Sequence, residues 1–132
     1  MQSKILLFSF IFITACSEGA NYEKAENAQD AGREFIRATL DGDHKKAKFF
    51  LLKDSTNLML IDKQQENYNH LSMMEKRQHR ESNIRPLNIK KINDSVTSYQ
   101  YYTTYNPRDT TTITIMKTDG DWLVDLKSIL TR

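Results

Sequence analysis

The spacing of apolar residues changes once along this chain, near Asn83, and that change bounds the folds open to it. Before it, apolar residues recur at steps of three and four. From Glu23 to Leu40, the residues Ala25, Ala28, Ala31 (or Gly32), Phe35, Ile36, Thr39 and Leu40 form one stripe. Glu26, Gln29, Asp30, Arg33, Glu34 and Arg37 fill the opposite side, as in an amphipathic helix. Asp41-Gly42-Asp43 breaks it. Gly42 can take the left-handed conformation that ends a helix, and Asp43 can cap the next. The spacing predicts a short second helix over His44 to Lys53, with Ala47, Phe50 and Leu51 inward. Asp54-Ser55-Thr56 offers a further cap. Leu58, Ile61, Tyr68, Leu71 and Met74 then mark one or two helices ending near Glu81. Met73 and Met74 read as adaptable core filler.

After Asn83 the period falls to two. Leu87 and Ile89 alternate with Asn88 and Lys90, as in a half-buried strand, and Pro86 marks its beginning or a sheet edge. Val96 to Tyr105, rich in β-branched and aromatic residues, is a second strand. Thr110 to Lys117 is a third, with Ile113 and Ile115 on one face. Trp122 to Ile129 is the last, with Trp122, Val124 and Leu126 on one face. Turns are expected at Asn93-Asp94-Ser95, at Asn106-Pro107-Arg108-Asp109 and at Thr118-Asp119-Gly120-Asp121, where Asp-Gly suits a tight hairpin. Helices followed by an unbroken series of strands predict an α+β domain over 23–132. Its N-terminal helices should pack on one face of a curved four-stranded antiparallel meander.

The start of the chain has a different character. Met1 to Lys4 is short and basic, and Ile5 to Ile13 is a largely apolar run, too short for the roughly 20 residues a membrane helix needs. Cys16, the single cysteine, follows Ile13-Thr14-Ala15. These four residues resemble the bacterial lipobox. The resemblance implies a signal peptide over 1–15, cleaved before Cys16, and acyl chains such as palmitate on Cys16. Residues 16–22 then hold the lipidated Cys16 and a short polar tether. Each buried methylene adds about 0.8 kcal/mol of membrane affinity, so two or three chains anchor a protein that has no apolar surface of its own. Ser17 rather than Asp follows Cys16. In the best-known sorting scheme of such lipoproteins this implies the outer membrane, with the domain facing the periplasm. An ordinary cleaved signal with Cys16 left over is the alternative.

Charge excludes one class of partner. Of 19 basic residues Lys4 leaves with the leader, so 18 face 17 acidic ones. A nucleic-acid footprint needs basic clustering that is lacking here.

An amphipathic first helix, the break Leu40-Asp41-Gly42-Asp43 with Ala47 after it, and a meander closing on Gly120, Trp122 and Val124 resemble the nuclear transport factor 2-like (cystatin-like) superfamily. The likeness is greatest to its small bacterial lipoproteins of unknown function. It implies a cone, in which a bent sheet wraps the first helix and leaves a pocket at the open end. Members include isomerases, dehydratases and binding domains, so fold alone does not name an activity.

Candidate site residues are few. Tyr99 and Tyr101 share one face of the second strand, Tyr102 lies on the other, and Tyr105 has the parity of Tyr99. With Trp122, Tyr99 and Tyr101 are the candidates for contact with a ligand, although packing the core is the simpler use of all three. Asp125 alternates with Trp122, Val124 and Leu126, which predicts a solvated carboxylate rather than a base. His44, His70 and His79 match no metal-ligand spacing, and no cofactor is expected. The expected function is therefore a lipid-anchored, non-catalytic module binding a small apolar molecule or an envelope protein. The alternative is a small isomerase or hydrolase with a site in the cone. A weak homodimer through the uncovered sheet face is a further expectation, tempered by the polar Thr110, Thr112 and Thr114 there.

Overall fold

A computed structural model describes residues 21–131; the leader and the lipidation signal at Cys16 lie outside the described residues. Helix α1 spans Ala28–Asp41. It starts later than the apolar stripe suggests because Asn27 caps it, accepting from the Asp30 amide at 2.8 Å. Gly42 ends it with φ of 70°. A Cβ there would stand 2.2 Å from the Tyr68 ring, so glycine is required twice over, by backbone and by space. Gly32 serves close approach: a Cβ would meet Ile115 Cδ1 at 2.9 Å and the Tyr99 ring at 3.1 Å. It thus lets α1 lie close on the sheet.

Helix α2 is His44–Phe49, capped by Asp43. It stops short of Lys53 because the chain opens out to pair with the last strand. Val124 donates to the Phe50 carbonyl at 2.7 Å, and Leu52 donates to the Val124 carbonyl at 2.8 Å. Helices α3, Ser55–Asn69, and α4, Met73–Glu81, are capped by Asp54 and Ser72. Met73 and Met74 are not core filler; they are 88% and 72% exposed. The reason is that α4 is held by its end rather than by an apolar face. The Arg37 guanidinium donates to the carbonyls of His79, Arg80 and Ser82 at 3.2, 3.0 and 2.8 Å. It thereby satisfies the groups a helix C-terminus leaves open.

The strands are β1 Ile84–Asn93, β2 Val96–Thr103, β3 Asn106–Thr118 and β4 Asp121–Asp125, antiparallel in the order β1-β2-β3-β4. The α+β architecture and the meander are as expected. Two boundaries and the burial of one strand differ. The β2–β3 turn is Thr104-Tyr105, because Thr103 already faces Asn106 across the hairpin. The last strand ends at Asp125, and a 3-10 turn over Lys127–Thr131 replaces its expected second half. β1 is not half-buried: Leu87, Ile89 and Ile92 are 52%, 36% and 55% exposed. Pro86 does mark an edge strand, and register shifts flank Leu87 and Ile92. At the β3–β4 hairpin Asp119 and Gly120 have φ of 50° and 81°, as a two-residue turn requires.

The core lies between α1, α2, α3 and the inner faces of β2, β3 and β4. Phe35, Ile36, Leu51, Ile61, Tyr99, Ile113, Ile115 and Val124 are all buried in it.

Candidate functional site

The C-terminal half of α1 turns Phe35, Ile36 and Leu40 toward the sheet, but the sheet does not close over them completely. A cavity of about 420 Å³ remains. Its floor is apolar, with Ile113 of β3 and Leu126 completing it. Its walls carry hydroxyls from Thr39, Tyr101, Thr103, Tyr105 and Thr111, and its rim carries Lys63, Gln64, Asn67, Asn106 and Asp109. The strand register explains the wall. Tyr99 faces Ile113, and Tyr101 faces Thr111. The face that buries Tyr99 in the core therefore delivers Tyr101 to the cavity two residues on.

One side of the cavity is fastened to α4. The Tyr105 amide donates to Ser82 Oγ at 3.1 Å. The Tyr105 ring lies 4.1 Å from that of His79, which is edge-on to Tyr68 at 6.3 Å. His79 Nδ1 in turn sits 2.7 Å from the Glu75 carbonyl. Partial burial of a residue that is still 46% exposed, and then the nearby Asp109 carboxylate, push the Tyr105 hydroxyl above the ordinary phenol range. Lys63 and Asp109 both line the cavity, yet neither forms an ion pair among the described residues.

Of the three ligand candidates, Tyr99 and Tyr101 are neighbours and Trp122 stands apart. Tyr99 is 1% exposed and core-packed, its hydroxyl pushed up by burial. Tyr101 meets it edge-on at 5.9 Å and lines the cavity. Trp122 stands half-buried beside a separate cleft with Phe49 and Leu123. Tyr105, which its parity with Tyr99 offers for a pocket wall, does line the cavity, but its hold by α4 is not visible in spacing, because its ties to Ser82 and His79 come from distant segments. The cavity's contribution from α3, chiefly Leu60 and Lys63, was equally hidden in a long polar stretch.

Asp125 is not a solvated strand residue; its side chain is 14% exposed and belongs to a polar clamp. Asn57, fully buried, is the hub. Its Oδ1 accepts from the Leu126 amide at 2.9 Å, and its Nδ2 donates to Asp125 at 3.2 Å and Asp54 at 3.4 Å. The Lys127 ammonium bridges Asp54 and Asp125, 3.0 Å from the latter. The bond from Lys127, then the Asn57 amide, hold Asp54 below the usual carboxylate range. Burial raises Asp125, but bonds from the Lys127 amide and ammonium and from Asn57 outweigh it and leave that carboxyl lowered. Asp54 first, with Asp125, holds Lys127 above its ordinary value. With the two carboxylates sharing the Lys127 ammonium and bonded by Asn57 as well, this cluster stabilises charged groups rather than priming one for proton transfer.

The histidines stay apart in role. His44 Nε2 pairs with Asp62 at 3.0 Å, and His79 serves the aromatic wall. Among the described residues no three of His, Cys, Asp or Glu stand close enough to hold a metal ion, and no helix is long and apolar enough to cross a membrane. The chain matches no protein-family model, and no curated protein matches it.

Proposed function

We propose that this protein is a lipid-anchored binding module of the bacterial cell envelope, held through Cys16 and most simply placed at the outer membrane facing the periplasm. On this reading the cavity takes a small molecule with an apolar body and a polar end. The observation that carries it is the cavity's make-up: an apolar floor, hydroxyl walls and a rim of amides with Lys63 and Asp109, without a buried acid and base converging on one point. Small-molecule sites have this composition. The enzyme alternative needs a carboxylate held in a desolvated position, and the candidate acid, Asp109, is exposed at the rim. The proposal keeps the likeness to the nuclear transport factor 2-like superfamily as a reading of the fold pattern.

Two measurements test it. Labelled palmitate should enter the wild-type protein and not Cys16→Ser; equal labelling overturns the anchor. Native mass spectrometry of protein purified from its own cells should show a bound small molecule that is lost in Thr111→Phe, which fills the cavity from one wall. Adduct-free wild-type protein overturns the small-molecule reading and shifts the weight to a protein partner or a weak homodimer.

A further inference from the structure

We infer that the end of the domain where the chain enters is a second membrane contact, in which Trp122 and its aromatic neighbours lie in the headgroup region of the bilayer that carries the anchor. This rests on acylation of Cys16. From Cys16 to Tyr22 the chain can span at most about 20 Å, at roughly 3.4 Å per residue. Whatever surrounds Tyr22 is therefore held next to lipid at high effective concentration, and even a weak affinity there is used.

What surrounds Tyr22 suits an interface. Its ring lies 5.4 Å from that of Phe49, which meets Phe50 edge-on at 4.9 Å. Lys24 pairs with Asp121 at 3.0 Å, which ties the entering chain to the start of β4. Between these elements is a cleft of about 160 Å³, walled by Phe49, Trp122 and Leu123, with Lys24 and Lys53 beside it. Lys117 Nζ stands 5.6 Å over the Trp122 ring. Aromatic rings with polar tips beside lysines, whose stems are apolar and whose heads are charged, match the two-sided chemistry of a headgroup layer. Trp122 is not sealed in the core: its ring is half-buried, with lysines around a cleft that it shares with Phe49 and Leu123. A bilayer surface gives its ring the apolar cover the protein leaves incomplete.

The charges set the expected lipid dependence. Lys53 and Lys117 have no carboxylate partner among the described residues, but Glu23, Glu26 and Asp119 belong to the same end. The patch is close to balanced, so aromatic insertion carries the contact and added salt changes it little.

Trp122 is the only tryptophan, so emission reports on this end alone. The test uses the intact lipidated protein on phosphatidylcholine vesicles, with and without bromine on the upper acyl chains. The expected result is that the protein floats with the vesicles, that Trp122 emission shifts to the blue relative to protein in detergent, and that brominated lipid quenches it. A tryptophan moved to the opposite end of the strands, at the exposed Arg108 (Arg108→Trp in a Trp122→Phe background), should float equally and escape quenching. Protein that floats with Trp122 unquenched, or with both positions quenched alike, overturns the contact while leaving the anchor intact. Protein that fails to float overturns the anchor, and the contact with it.

Discussion

The two outer strands of the sheet are treated in opposite ways. Beyond β4 the edge is covered: Val124 exchanges both its backbone groups with Phe50 and Leu52, forming a parallel bridge at Leu51. Just past it the Asn57 clamp ties the start of α3 to the end of β4 and the residues that follow. Beyond β1 nothing pairs among the described residues, and its apolar side chains meet solvent. The contrast teaches that alternation records which side chains share a face, and is silent on whether anything covers that face. Leu87 and Ile89 alternate as well as Ile113 and Ile115 do. Only the second pair has α1 above it, because Gly32 brings the helix down over β2 and β3.

The largest expected effect follows from the covered side. Asn57→Ala removes an amide that makes three side-chain bonds in a fully buried position, leaving the buried Leu126 N–H without a partner and Asp125 Oδ1 with its Lys127 bonds alone. A buried polar group left unpaired costs about 1–3 kcal/mol, so a loss of about 3 kcal/mol is expected in urea unfolding. A loss under about 1 kcal/mol would erase the distinction between the two edges. Little of this clamp was legible beforehand. Asp54 announced itself as a cap, and it is one. Asn57 looked like one more polar residue of a helix, since its inward direction depends on a strand 68 residues away. The α+β order was legible because it rests on local period. The cavity was legible only through Tyr101 and Tyr105, whose strand parity is local; its partners on α3, and the ties that fix Tyr105, come from tertiary contacts that spacing does not carry.

An intermediate effect follows from the charges of the same clamp. Asp54 and Asp125 titrate below their unfolded value near 3.8, so their contribution is present above that value and is lost as pH falls through the lowered folded values. Lys127 titrates above 10.5, so its contribution is present below that value and is lost as pH rises through the raised one. Lys127→Met should therefore be less stable than wild type by a constant margin from mildly acid to mildly alkaline pH. The margin should close in strong acid, once both carboxyls are protonated. Because the lysine side chain is 40% exposed, the margin should be smaller than that for Asn57→Ala. Urea midpoints of the two proteins across the pH range check this; a gap unchanged in strong acid would show that Lys127 acts through its stem rather than its charge.

The smallest effect belongs to the bare edge. Ile92→Ser and Leu87→Ser replace residues at register shifts in β1, each more than half exposed, so neither empties a packed site. Changes within about 0.5 kcal/mol are expected for each, against a far larger loss at Ile115, which has no exposed surface. Serine has the poorer strand propensity, which sets the direction as a slight loss. The register shifts limit even that, because a bulged residue already stands out of the ladder and has no cross-strand neighbour to abandon. Pairing of two copies through this edge would change the outcome, since Leu87 and Ile92 would then be covered. Arg85, Lys90 and Lys91 oppose it: Ile84–Asn93 contains no acidic residue, and antiparallel pairing of two such strands sets cation against cation. A loss above about 2 kcal/mol in either serine variant, growing with protein concentration, would show that the edge is occupied after all and that its charges fail to keep copies apart.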